Sequence, residues 1–109
     1  NQVPNAGSFF KNPTLKEQDI NTSQFNLEEL IIWPLDSDMV KVGAARLIQL
    51  VKNDLKDYEN VSTYSNHALV LISNGKASQL EILNFANNIK EVVNQTFNIK
   101  LDIEPTVIN

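Results

Sequence analysis

Residues His67–Glu104 read HALVLISNGKASQLEILNFANNIKEVVNQTFNIKLDIE, and their patterning decides the fold. Ala68–Ser73 is nearly continuous apolar sequence, the pattern of a strand covered on both faces. Asn74-Gly75 supplies a turn, and Ser78-x-x-Glu81 is a capping box that opens a helix. Along that helix Ile82, Phe85, Ala86, Ile89, Val93 and Phe97 fall on one face. Asn98 is a residue type that ends helices. Ile99, Leu101 and Ile103 then alternate with Lys100, Asp102 and Glu104, the period of a half-buried strand.

Upstream, Val61–Ser65 has the pattern of a short strand, and Asp54–Asn60 is a polar link. Within Val40–Asn53, Ala44, Leu47, Ile48 and Val51 stand at i, i+3, i+4 and i+7, which predicts an amphipathic helix. Lys52 near its end suits the helix dipole. Asp36-Ser37-Asp38 provides turn and cap chemistry ahead of it. Ile31-Ile32-Trp33 is an apolar run closed by Pro34. Thr14–Leu30 is polar with scattered Leu, Ile and Phe, and reads as a long connection with one short helical turn. Ala6–Lys11 (AGSFFK) is strand-like and stops at Asn12-Pro13, since proline cannot donate to a ladder. The chain opens on Asn1 without a methionine, which reads as a domain boundary more than a natural start. Strand, connection, helix, one or two strands, helix and strand predict an α+β domain. Its small mixed or antiparallel sheet, of about three to five strands, is covered by two main helices.

The chain has 109 residues, the size of a single domain. Nine basic and 13 acidic residues give a formal charge of −4, which argues against nucleic acid or an anionic membrane as partner. No apolar run approaches the ~20 residues of a membrane span. Cysteine is absent and histidine occurs once, so disulfides and thiolate chemistry are excluded and no metal site is expected. The lack of cysteine is compatible with a reducing cytoplasm. Three glycines leave no Gly-rich phosphate loop or dinucleotide fingerprint, so no cofactor-binding device is visible in the chain.

Taken alone, the chemistry-bearing residues are quiet. Ser8 has no Gly-x-Ser-x-Gly elbow around it and reads as a structural hydroxyl. His67, between Asn66 and the apolar strand, reads as a strand-edge residue, although a triad with Ser8 is conceivable. Glu104 sits beside Pro105 at the end of the last strand, where a carboxylate is most often solvated. Lys11 and Lys41 read as surface charges, with a phosphate contact as the alternative. Trp33 and Tyr64 read as packing residues, with stacking on a base or sugar as the alternative. Asn21, Asn60 and Asn94 head glycosylation triplets that an Asn-rich chain produces by chance.

Asn5–Pro13, NAGSFFKNP, is similar to the signature of bacterial UDP-N-acetylenolpyruvoylglucosamine reductases, flavoenzymes that make UDP-N-acetylmuramate. VKVGAARLIQ at Val40–Gln49 resembles the family's Lys-then-Ala helix start. HALVLISNGKAS at His67–Ser78 resembles its apolar strand, turn and cap, and FNIKLDIEPTVI at Phe97–Ile108 its closing strand. The resemblance covers nearly all of residues 1–109 but only the family's C-terminal, substrate-binding domain. The flavin-binding region lies upstream and is absent from this chain, which alone is expected to be inactive. The family uses NADPH to reduce FAD. Hydride then passes to the enolpyruvyl double bond of UDP-N-acetylglucosamine enolpyruvate, and a proton completes the reduction in this step of peptidoglycan precursor synthesis.

The resemblance implies that Ser8 donates that proton. A serine hydroxyl is a weak acid, so it can serve only a strongly basic, enolate-like intermediate. It implies that Glu104 works beside this centre, helping to polarise the carboxylate and enol, with a pKa raised by burial if it is to donate. It implies that Asn12 hydrogen-bonds the substrate. Three positions depart from the family pattern: Arg46 follows the second alanine where Gly and Trp are common, Asp57 stands near a usual glycine, and His67 replaces a frequent Gln. The first two favour a rival reading, a stand-alone α+β binding module that kept the fold and lost the chemistry, and the third weakens any substrate contact for His67. A third reading is an interaction domain whose acidic surface meets a basic partner. Without partner domains, an apolar face around Phe9 and Phe10 is expected to drive self-association.

Overall fold

A computed structural model describes residues 10–56, 61–64, 67–73 and 79–103. Its antiparallel strands and two α-helices form the expected small α+β domain. The strands are β1 (Thr14–Lys16), β2 (Ile32–Pro34), β3 (Met39–Val42), β4 (Val61–Tyr64) and β5 (His67–Ser73). The helices are α1 (Ala44–Leu50) and α2 (Gln79–Phe97). The strands divide between two sheets where the patterning suggested one. One sheet has the order β1-β3-β2, and β4 and β5 form a separate hairpin with an irregularity between Thr63 and Tyr64.

The core gathers on α2. Phe85, Ala86, Ile89, Val93 and Phe97 are buried along the stripe that the spacing predicts, and Ile82 lies half-buried at its margin. The helix stops where expected. Asn98 has φ 60°, a left-handed conformation that asparagine tolerates better than most residues. Its side-chain Nδ2 donates to Asp19 O at 3.1 Å, and Asn21 N–H reaches Phe97 O at 2.8 Å. The chain then turns Ile99 and Leu101 inward and leaves Lys100 and Asp102 exposed.

The helix expected over Val40–Asn53 is shorter. Residues 39–42 form β3, with Val40 and Val42 buried and Lys41 exposed. Val40-Lys41-Val42 satisfies a period of two as well as a helical stripe, and pairing on both sides settles it: Thr14 and Trp33 both face Lys41. The helix begins at Ala44 and buries Ala44, Leu47 and Ile48, with Val51 buried just beyond its end. Asp36–Asp38 does form a turn, but between two strands. Leu35 N–H reaches Met39 O at 2.9 Å and Ser37 takes φ 62°. Thr14–Leu30 is more structured than expected, since it holds β1 and two 3-10 turns, Glu17–Asp19 and Leu27–Glu29.

Phe10 is only 2% exposed, so it is not part of an apolar surface. Among the described residues the exposed large apolar side chains are Leu80 on α2, at 66%, and Ile31, Trp33 and Leu35, at 48, 45 and 45%, which stand at alternate positions in and beside the edge strand β2. Trp33 is thus not the packing residue the sequence suggested. Among the described residues no helix is long and apolar enough to cross a membrane. The expected turn at Asn74-Gly75 and the cap at Ser78 lie outside the described residues.

Candidate functional site

Four consecutive residues, Phe10–Pro13, join three parts of the fold. Phe10 forms an isolated antiparallel bridge with Ile103, and Lys11 N–H donates to Asp102 O at 2.9 Å. Asn12 Oδ1 accepts the N–H of Ala44 at 2.9 Å. Val42 N–H donates to Pro13 O at 2.9 Å, and β1 follows at once. Asn12-Pro13 is therefore the point at which the chain changes partner, from the 101–103 segment to β3. Proline's missing N–H costs nothing here, because its carbonyl makes the contact.

The bond to Ala44 has a local cause. The first N–H groups of a helix lack helical partners, and the residue just before the helix usually supplies a side-chain acceptor. In α1 that residue is Gly43, which has no side chain. A Cβ there would sit 3.3 Å from Ile31 Cβ, and Gly43 N–H donates to Ile31 O at 2.9 Å. The acceptor comes instead from Asn12, 32 positions away. Further along α1, half-buried Arg46 donates through Nε to Glu29 O at 2.7 Å and through Nη1 to Gln49 Oε1 at 2.9 Å. Its departure from the family pattern thus has a structural use: it tethers α1 to the 3-10 turn Leu27–Glu29.

Beside this junction lies the solvent face of the three-stranded sheet. The Lys41 Nζ stands 6.0 Å from the ring centroid of Trp33, its cross-strand partner, within cation–π range. Lys11 and Lys41 are both exposed. Among the described residues no group of three His, Asp or Glu is placed to hold a metal ion.

Of the residues the resemblance singled out, only Asn12 is described. Ser8 and Glu104 lie outside the described residues. His67 opens β5 opposite Tyr64. Gly43 and the Ala44 amide were missed by the sequence reading, because no local pattern announces a cap that arrives from 32 positions upstream.

Over residues 1–108 the chain matches the family described as UDP-N-acetylenolpyruvoylglucosamine reductase, C-terminal domain. Among curated relatives, the UDP-N-acetylenolpyruvoylglucosamine reductase of Flavobacterium johnsoniae is 35% identical over 107 residues, covering 98% of this chain and 32% of the relative. The protein of the same name from Xanthomonas oryzae pv. oryzae is 34% identical, covering 95% of this chain and 31% of its own length. That from Buchnera aphidicola subsp. Baizongia pistaciae is 34% identical, covering 99% and 33%. The chain spans about a third of the length of these relatives.

Proposed function

Because this chain belongs to the UDP-N-acetylenolpyruvoylglucosamine reductase family, matching its C-terminal domain, we propose that it is the substrate-binding and proton-donating part of such a reductase. The whole enzyme would convert UDP-N-acetylglucosamine enolpyruvate to UDP-N-acetylmuramate in the cytoplasm, as a step of peptidoglycan precursor synthesis. FAD reduced by NADPH would supply the hydride, and the upstream part of the reductase would hold both. The amides at the start of α1 are poorly suited to cradle a dinucleotide, because those of Gly43 and Ala44 are already taken by Ile31 O and Asn12 Oδ1.

In this reading Ser8 gives the proton that completes the reduction. Its hydroxyl is a weak acid, so donation requires a strongly basic carbanion held close and in line. Glu104 donates toward the substrate carboxylate as charge builds there, which lowers the cost of the intermediate. Asn12 binds substrate through its Nδ2 donors, since Oδ1 is engaged by Ala44. The observation that carries the reading is the bridge between Phe10 and Ile103. Ser8 stands two residues before the one, and Glu104 directly follows the other.

The test uses the complete reductase and its visible spectrum. NADPH should bleach the flavin, and UDP-N-acetylglucosamine enolpyruvate should restore it. Ser8→Ala should be bleached normally and restored at least about a hundredfold more slowly, the scale of a lost general acid. Glu104→Gln, which keeps a neutral donor, should lose less than Glu104→Ala. A colourless protein, or a flavin indifferent to the enolpyruvate, would leave a binding module and remove the roles given to Ser8 and Glu104.

A further inference from the structure

We infer that Asn12 is also a positioning residue: through Oδ1 it fixes the segment that leads to the proton donor, separately from any contact its Nδ2 makes with substrate. The inference rests on the reductase reading above. Three consecutive residues make three bonds to three different parts of the fold. Lys11 N–H holds Asp102 O at 2.9 Å, Asn12 Oδ1 holds Ala44 N–H at 2.9 Å, and Pro13 O holds Val42 N–H at 2.9 Å. Two of these are backbone bonds, which exist for many sequences. The middle one requires a side chain that is short, carries an acceptor and reaches the start of α1. It is not supplied locally: position 43 is glycine, and a Cβ there would crowd Ile31 Cβ at 3.3 Å.

Removing the acceptor leaves the Ala44 N–H without its partner and unpins the middle of the clamp. Phe10, 2% exposed and bridged to Ile103, is two residues away, and Ser8 is two further on. Proton donation by a weak acid depends steeply on placement; a displacement of about 1 Å can cost up to about 10²-fold in rate. An amide serves two purposes at two atoms, an acceptor at Oδ1 and donors at Nδ2. The two roles of Asn12 are therefore separable by substitution.

Asn12→Asp keeps the acceptor, with a charge that suits a helix N-terminus, and loses the donors. Asn12→Ala loses both. Ala44→Pro removes the N–H and puts the ring Cδ in its place against Asn12 Oδ1, so it breaks the bond from the other side; Gly43, at φ −73° and ψ 114°, already has the extended backbone that proline requires before it. In the complete reductase, bleaching by NADPH reports an intact flavin site. Restoration by the enolpyruvate gives a saturating rate and a half-saturating concentration.

Asn12→Asp should keep the saturating rate within about threefold and raise the half-saturating concentration about tenfold or more, the signature of lost binding alone. Asn12→Ala should lower the saturating rate at least about tenfold as well. Ala44→Pro should lower the saturating rate at least about tenfold, as Asn12→Ala does. A melting curve for each variant separates misplacement from unfolding, and Ala44→Pro keeps the test open if Asn12→Ala fails to fold. Equal saturating rates in Asn12→Asp and Asn12→Ala, or a wild-type rate in folded Ala44→Pro, would overturn the positioning role and leave the reductase reading standing. A wild-type flavin that the enolpyruvate does not restore would overturn the reading and this inference with it.

Discussion

Phe10 and Ile103 stand opposite one another as a single antiparallel bridge, with Lys11 N–H on Asp102 O at 2.9 Å beside it. The two ends of the described chain thus share one seam, and Phe10 fills the core beneath it at 2% exposure. Truncating a buried phenylalanine removes its transfer energy and leaves a cavity. Phe10→Ala should destabilise the chain by about 3–5 kcal/mol, read from the midpoint of a urea titration. A loss under about 1 kcal/mol would mean that the ring does not reach the core.

The parts of this fold that were legible in the sequence are those set by local pattern. The α2 stripe from Phe85 to Phe97 is long enough to fix its period, and Asn98 ends it by its own conformational tolerance. β4 and β5 were placed to within a residue of their limits, as alternating or continuous apolar runs allow. What stayed hidden depends on distant partners. β1 is Thr14-Leu15-Lys16, polar and three residues long, and it is a strand only because β3 pairs with it. Residues 39–42 fit either period until their neighbours are known. At the candidate site, the motif around Asn12 could be recognised as a string, but its bond to Ala44 spans 32 positions and has no local signature.

Asn98 combines two jobs that substitution can separate. Its φ of 60° disfavours side chains with a Cβ, and its Nδ2 holds Asp19 O at 3.1 Å. Asn98→Ala loses the bond and adds left-handed strain, for a combined cost of about 1.5–3 kcal/mol. Asn98→Gly loses the bond but relaxes the strain, so it should cost no more than about 1.5 kcal/mol. Equilibrium unfolding of both variants checks the order. Alanine as stable as glycine at this position would show that the left-handed turn is not held in solution.

Gly43 is required for space. Its φ of −73° is open to any residue, so the constraint is the 3.3 Å approach of a Cβ to Ile31 Cβ. Gly43→Ala should therefore destabilise by about 1–3 kcal/mol through overpacking. Because Gly43 N–H also binds Ile31 O at 2.9 Å, a shift of that strand would loosen α1. Pairing Gly43→Ala with Ile31→Gly, which removes that Cβ, should recover part of the loss. Two costs that simply add would indicate that the two residues do not touch.

Trp33 and Lys41 offer a spectroscopic reading of the sheet's outer face. Trp33 is the single tryptophan, it is 45% exposed, and Lys41 Nζ stands 6.0 Å from its ring centroid. A cation at that distance concentrates anions near the ring, whereas a neutral molecule is unaffected. Iodide should therefore quench Trp33 emission efficiently. Lys41→Glu should lower iodide quenching and leave acrylamide quenching unchanged. The difference should shrink at about 1 M salt, where screening shortens to about 3 Å. The stability cost of Lys41→Ala should stay near 0.5–1 kcal/mol, as for an exposed cation–π pair, roughly. Iodide quenching equal in wild type and Lys41→Glu would mean that the ammonium does not stand over the ring in solution.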